Sequence, residues 1–317
     1  MRPVFVSAVI TSVHWSAWAA FVACILVFLA LDLGVFHRHS HVVKVKEAFG
    51  WTLVWFAVAM LFAGGLVPWR GKQEAVEFVT GYIIELSLSM DNVFVIALIF
   101  AHFHVPDRYQ HRVLFWGILG ALIMRGLMIW LGVELVQRFD WLLVALGAFL
   151  IFSGLKMVFT REKKSDLENS FAVRLARKLF PVTHEFAGQK FVIRLNGAVA
   201  LTPLALVLVL VEATDLIFAT DSIPAIFAVT TDPFIVFTSN VFAILGLRSL
   251  YFVLAGAIQY FRYLKLGLSV VLVFIGFKMV AVKYVHIPTS LSLVVVILIL
   301  AASILASVAA TRRETKV

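Results

Sequence analysis

The residues with the most chemistry to offer are carboxylates placed where water should be scarce. Glu85 and Asp91 stand in ELSLSMDN (85–92), and Glu212, Asp215 and Asp221 stand in VEATDLIFATDS (211–222), both stretches enclosed by apolar sequence. A carboxylate at the centre of a spanning helix costs about 2.5–3.5 kcal/mol on insertion scales, so five left bare and central would cost roughly 12–17 kcal/mol. That rivals the whole stability of a typical domain, about 5–15 kcal/mol. Such acids are protonated, paired with a basic side chain, wetted in a cavity, or bound to a cation. Arg125 and Arg248 fall inside apolar spans and are the candidate counter-charges. Lys156 and Lys278 lie near span ends, from which long side chains reach the interface. Five acids against two central arginines leave negative charge over, which suits a cation.

Spacing sharpens the question. Glu212 and Asp215 are three apart and share a helix face. Asp215 and Asp221, like Glu85 and Asp91, are six apart, which on a regular helix is about 120° off the same face and roughly 9 Å of rise. Either the helix is broken between them and both meet one ion, or each serves a different position along a path. Pro224 has no amide proton to donate, which frees a carbonyl near Thr220 and predicts a break there. Asn92 and Ser222 directly follow their aspartates and offer neutral oxygens, as do Ser89 and Thr220. An oxygen-rich set with no His or Cys in either segment predicts Mn²⁺, Ca²⁺ or Mg²⁺ rather than Zn²⁺ or copper. Met90, beside Asp91, reads as packing.

The elements that must position these groups are membrane spans. Of 317 residues 62% are hydrophobic and only 14% charged, which excludes a water-soluble domain. Runs of about 20 apolar residues recur, each long enough for a hydrocarbon core of roughly 30 Å, without the alternating segments of a β-barrel. The spans predicted are 14–36, 48–68, 77–101, 112–134, 140–159, 197–229, 236–258, 264–283 and 289–310, an all-α polytopic protein with the third and sixth spans broken. The start resembles a signal peptide only loosely, and an uncleaved first span is expected. Cys24 is the single cysteine, so no disulfide forms within the chain.

Basic residues set the orientation. Alternate polar connections carry 18 Lys and Arg in one set and five in the other. The positive-inside rule then places the C-terminus in the cytoplasm and, with nine spans, the N-terminus outside. The net charge of +9 is spread between spans, which fits membrane orientation and not nucleic acid. HRHSH (37–41) reads as a solvated cytoplasmic loop, with a pH or metal response as its alternative. Within 160–196, RLARKLF fits an amphipathic helix on anionic lipid, against a plain charged linker.

An internal repeat is also present. QRFDWLLVALGAFLIFSGLKMV (137–158) aligns without gaps on QYFRYLKLGLSVVLVFIGFKMV (259–280) with ten identities in 22 positions. With another offset Glu85 falls on Asp215 and Asp91 on Asp221. Spans three to five therefore repeat as spans six to eight. An odd number of spans per unit inverts the second copy, an architecture common to secondary transporters. The chain divides into two N-terminal spans (1–76), a first unit (77–159), a basic cytoplasmic loop (160–196), a second unit (197–285), and a last span with a basic tail (286–317).

On ELSLSMDNVFV (85–95), VEATDLIFATDSIPAIFAVTTDPFIVFTSN (211–240) and ILGLRSLYF (244–252), the chain resembles the TerC/Alx family of integral membrane proteins, most closely its Alx-like branch. The resemblance extends over most of residues 45–285. It implies a divalent-metal transporter of the bacterial inner membrane, exporting manganese, with metal ligands at Glu85, Asp91, Asn92, Glu212, Asp215, Asp221 and Ser222. In that branch the residue after the first acid is often lysine; here it is Leu86, which leaves the site more negative and puts lysine-based gating in doubt. Nothing in these residues explains tellurite handling, since acid-lined sites repel oxyanions.

The expected partners are lipid and a divalent cation, Mn²⁺ or Ca²⁺ as transported ion, with protons as a counter-ion in an exchange mode. No prosthetic group and no catalysis are expected. The rival is a non-transporting scaffold that aids metalation or assembly of exported proteins. An intramembrane aspartyl protease would need a Gly-Asp pair, and the sequence has none.

Overall fold

A computed structural model describes residues 13–31, 45–159, 170–183, 185–195, 198–255, 263–282, 284, 285 and 287–314. The apolar runs are helices: α1 (Trp15–Leu31), α2 (Val45–Trp69), α3 (Lys72–His102), α4 (Asp107–Arg138), α5 (Asp140–Phe159), α6 (Phe171–Leu179), α7 (Pro203–Phe227), α8 (Pro233–Ala255), α9 (Leu264–Ala281) and α10 (Thr289–Glu314). Eight of these are long and apolar enough to cross a membrane, and α1 is a shorter apolar helix, so each expected span has a helix. The HRHSH loop and REKKSDLE (161–168) lie outside the described residues.

Two expectations need correction. The sixth span does not begin at 197. Residues Val192–Leu195 (β1) and Ala198–Leu201 (β2) form an antiparallel hairpin, Val192 opposite Leu201 and Leu195 opposite Ala198. The helix starts only at Pro203, whose ring suits a first helical position. The Thr202 hydroxyl caps it by accepting from the Ala205 amide at 3.4 Å.

Nor are the third and sixth spans broken: α3 and α7 are continuous. No proline or glycine interrupts α3 beyond Gly81. Pro224 lies only three residues before the end of α7, so the amide it lacks weakens the last turn without severing the helix.

Depth in the bundle differs sharply between helices. In its most apolar window α8 is 89% buried and α10 only 11%, so α8 is the hub and α10 faces outward. Phe62 joins α2 to α3 and α8 through Phe78 and Phe242, both at 5.0 Å between ring centroids. Trp116, Trp130 and Trp141 are exposed, as lipid-facing or interfacial anchors are. The amphipathic helix expected in the basic loop is α6. It buries Val173 and Ala176 and exposes Arg174, Arg177 and Lys178.

Helix α5 crosses α9 backbone to backbone. A Cβ on Gly147 would lie 2.9 Å from the Gly276 carbonyl, and one on Gly154 would lie 2.8 Å from the Ser269 carbonyl. The rising number on one helix meets the falling number on the other, so they run antiparallel. The repeat alignment sets Gly154 on Gly276 and Gly147 on Ser269, which exchanges these two contacts. That is the self-complementary pairing a two-fold relation between repeats requires. In contrast α4 and α7 run parallel, with Gly117 against Val211 and Gly132 against Phe227.

Candidate metal centre

Three helices bring charge to the middle of the bundle. Arg125, near the midpoint of α4, is only 2% exposed and so needs partners for its full charge. Its Nε donates to Asp215 Oδ2 at 3.1 Å and its Nη2 to Asp215 Oδ1 at 2.8 Å, a two-pronged pair across to the centre of α7. The Arg125 Nη1 is paired with Glu85 of α3 and also donates to Asn240 Oδ1 of α8 at 3.0 Å. Asn92, seven residues after Glu85 and so on the same face of α3, donates its amide to Asp215 Oδ1 at 3.1 Å.

The other candidates sit elsewhere. Continuous α7 turns Asp221 away from Asp215, and Asp221 Oδ1 accepts a 2.8 Å hydrogen bond from Ser153 of α5. The half-buried Glu212 carboxylate occupies the space a side chain on Gly120 of α4 would fill. Ser222 is buried beside Asp221, and Asp91 is half-buried on α3. Arg248 lines a cavity of about 20 Å³ together with Asn92, Thr214 and Asp215, a volume that takes one water. Of the two sequence alternatives, continuous helices favour acids spread along a path. Among the described residues, no three carboxylates, imidazoles or thiols stand close enough to hold one metal ion.

Several buried polar atoms have no hydrogen-bond partner among the described residues: Glu85 Oε2, Ser89 Oγ, Asn92 Oδ1, Glu212 Oε2, Ser222 Oγ and Asn240 Nδ2. Native interiors keep few such atoms because each costs about 1–3 kcal/mol. Five of the six are oxygens, and all five lie on α3 or α7. Oxygens are what a hard divalent cation selects.

Sequence reasoning missed Asn240 and Ser153. A signal for Asn240 was present: Thr238, Ser239 and Asn240 form a polar run inside an apolar span, and all three are buried. Ser153 carries no such mark, being one small hydroxyl in a Gly-bearing span. A charged cluster at the far end of the bundle was also missed. Arg70 is ion-paired with Glu74 and with Asp232 at 2.6 Å, tying the α2–α3 turn to the start of α8. Burial presses the Arg70 guanidinium toward its neutral form, but the two carboxylates outweigh it and raise its pKa above the ordinary value.

The family model described as "Integral membrane protein TerC family" matches residues 70–315. A Myxococcus xanthus membrane protein without an assigned role, STKORF319, is 53% identical over 296 residues, covering 93% of this chain and 92% of that protein. An Escherichia coli K12 protein, with the provisional name of membrane-bound redox modulator Alx, is 48% identical over 288 residues, 88% of this chain and 90% of its own. A Rickettsia felis membrane protein is 43% identical over 292 residues, 92% of this chain and 97% of its own. No solved structure matches the chain.

Proposed function

The chain belongs to the TerC family of integral membrane proteins, and on that premise we propose that it carries divalent metal cations across a membrane, Mn²⁺ foremost, outward from the cytoplasm. One observation carries the reading. Five carboxylates and a set of buried oxygens without partners among the described residues lie along two helices that meet at mid-bundle. The metal is the cargo. Glu212, Asp215 and Asp221 follow one another along α7 and serve as successive stations. Glu85, Asp91, Asn92 and Ser222 supply the remaining oxygens, and the Asp215 level is the central one. Rocking of one three-helix unit against the other opens the site first to one side and then to the other. Protons that return on the same acids would displace the metal and give exchange without further machinery.

The excess of Lys and Arg in alternate connections supports an orientation in a bacterial inner membrane with α6 and the 102–111 turn on the cytoplasmic face, the C-terminus inside and the N-terminus outside. The E. coli relative is named for a redox role, and this chain offers no dithiol pair within itself to support one. Cys24 is its single cysteine and forms no internal disulfide.

Metal flux into proteoliposomes tests the reading, with Mn²⁺ and Ca²⁺ offered separately to wild type, Asp91→Asn and Asp215→Asn. Saturable Mn²⁺ flux lost in both folded variants is the expected result. One observation favours the scaffold reading: Glu85 and Asp215 are already held by Arg125. Absence of flux of either metal from folded, correctly oriented wild type decides for the scaffold.

A further inference from the structure

We propose that Arg125 sets which cations this centre accepts: its guanidinium stands in the cation position between Glu85 and Asp215, so that only an ion of more than one positive charge displaces it. The proposal rests on the transport reading above and deepens it.

The geometry is that of an occupied cation site. Two guanidinium nitrogens bind both oxygens of Asp215, and the third is shared between Glu85 and Asn240, with the whole side chain 2% exposed. A sodium or potassium ion exchanging for the guanidinium brings the same single charge to the same two carboxylates. The exchange gains no attraction, and it strips a buried guanidinium of its charge-assisted hydrogen bonds. A divalent ion doubles the attraction at a given distance. It also finds acceptors the guanidinium leaves unused: Glu85 Oε2, Ser89 Oγ and Asn92 Oδ1 are buried and unpartnered among the described residues. Asn240 Oδ1 already holds Nη1 from the α8 side. The guanidinium keeps that bond when the carboxylates turn to the ion.

A purely structural arginine makes a different forecast. It would neutralise buried acids, and its loss would lower stability without changing which ions compete. The test is Mn²⁺ binding to the purified full chain in detergent, by calorimetry, at about 0.15 M ionic strength supplied either by Na⁺ or by bulky N-methylglucamine. Wild type and Arg125→Lys should bind Mn²⁺ equally in both salts. Arg125→Gln should bind it about tenfold more weakly in Na⁺ than in N-methylglucamine. If Arg125→Gln does not fold, Arg125→Gln/Glu85→Gln removes one charge of each sign and keeps the net charge. Having lost one ligand, it should bind Mn²⁺ more weakly than wild type in both salts, yet still more weakly in Na⁺ than in N-methylglucamine.

Sodium tolerance unchanged in the folded Gln variant would overturn the role of Arg125 and leave the transport reading standing. So would sodium competition in wild type, or in Arg125→Lys as strong as in Arg125→Gln. Failure of wild type to bind Mn²⁺ or Ca²⁺ in either salt would overturn both.

Discussion

At the scale of single residues, burial of charge is the dominant cost, and the side chains divide by how they meet it. Asp215 is buried and held by Arg125 and Asn92, whereas Asp221 is half-buried and accepts a hydrogen bond from Ser153. Removing one partner of a buried pair strands the other charge and costs about 3–5 kcal/mol. Loss of an ordinary hydrogen bond costs about 1 kcal/mol. Asp215→Asn should therefore lower thermal stability in detergent far more than Asp221→Asn, and a reversed order would refute the pairing. Glu212 gives a separate expectation. A methyl at Gly120 occupies the place of its carboxylate, so Gly120→Ala should reduce Mn²⁺ flux while the protein remains folded and monodisperse on size exclusion. The acids, and Arg125 as a counter-charge, were legible in the sequence because polar residues in apolar spans stand out. Their partners were not: Asp215 and Asn240 lie 90 and 115 positions from Arg125.

At the scale of elements, the unbroken α3 and α7 decide how the acids are used. A six-residue interval on a straight helix cannot aim two carboxylates at one ion, so Asp215 meets α4 and Asp221 meets α5. The expectation of a break gave Pro224 too much weight, because its distance from the helix end matters as much as its presence. The α5–α9 crossing rests on glycine in a way the α2 glycines do not. Gly154 faces the Ser269 carbonyl, while a Cβ on Gly64 would meet nothing within 4 Å. Gly154→Leu should therefore cost at least 1–3 kcal/mol, the approximate range for overpacking. Gly64→Ala should change stability by roughly 1 kcal/mol or less. Thermal unfolding in detergent compares the two, and equal effects would remove the crossing from the account. Glycine at 147, 154 and 276 was plain in the aligned repeats, but only packing showed that Gly147 faces Gly276 and Gly154 faces Ser269.

At the scale of the whole molecule, the fold separates the charged segments to two ends, and the proposed orientation can be tested there. The basic α6 and the 102–111 turn lie at one end of the bundle, and the Arg70–Glu74–Asp232 cluster lies at the other. In a Cys24→Ser background, Lys190→Cys should react with a membrane-impermeant maleimide only from the cytoplasmic face, and Lys72→Cys only from outside. Labelling of both from one face would overturn the odd-numbered topology and with it the inversion of the second repeat.

The sequence by itself determined that this chain lives in a membrane, where its spans fall (apart from the start of the sixth), that a 22-residue segment recurs in it, and that five acids must be accommodated there. Each of these is written in local composition or in periodicity, because lipid tests every span against the same apolar standard. Only the tertiary structure decided that Arg125 gathers Glu85, Asp215 and Asn240, that Asp221 turns to another helix, and that the hairpin Val192–Leu201 precedes α7. The physical reason is range. A buried charge must find an opposite charge, but nothing in the local sequence says which of several distant helices will present it at hydrogen-bonding distance.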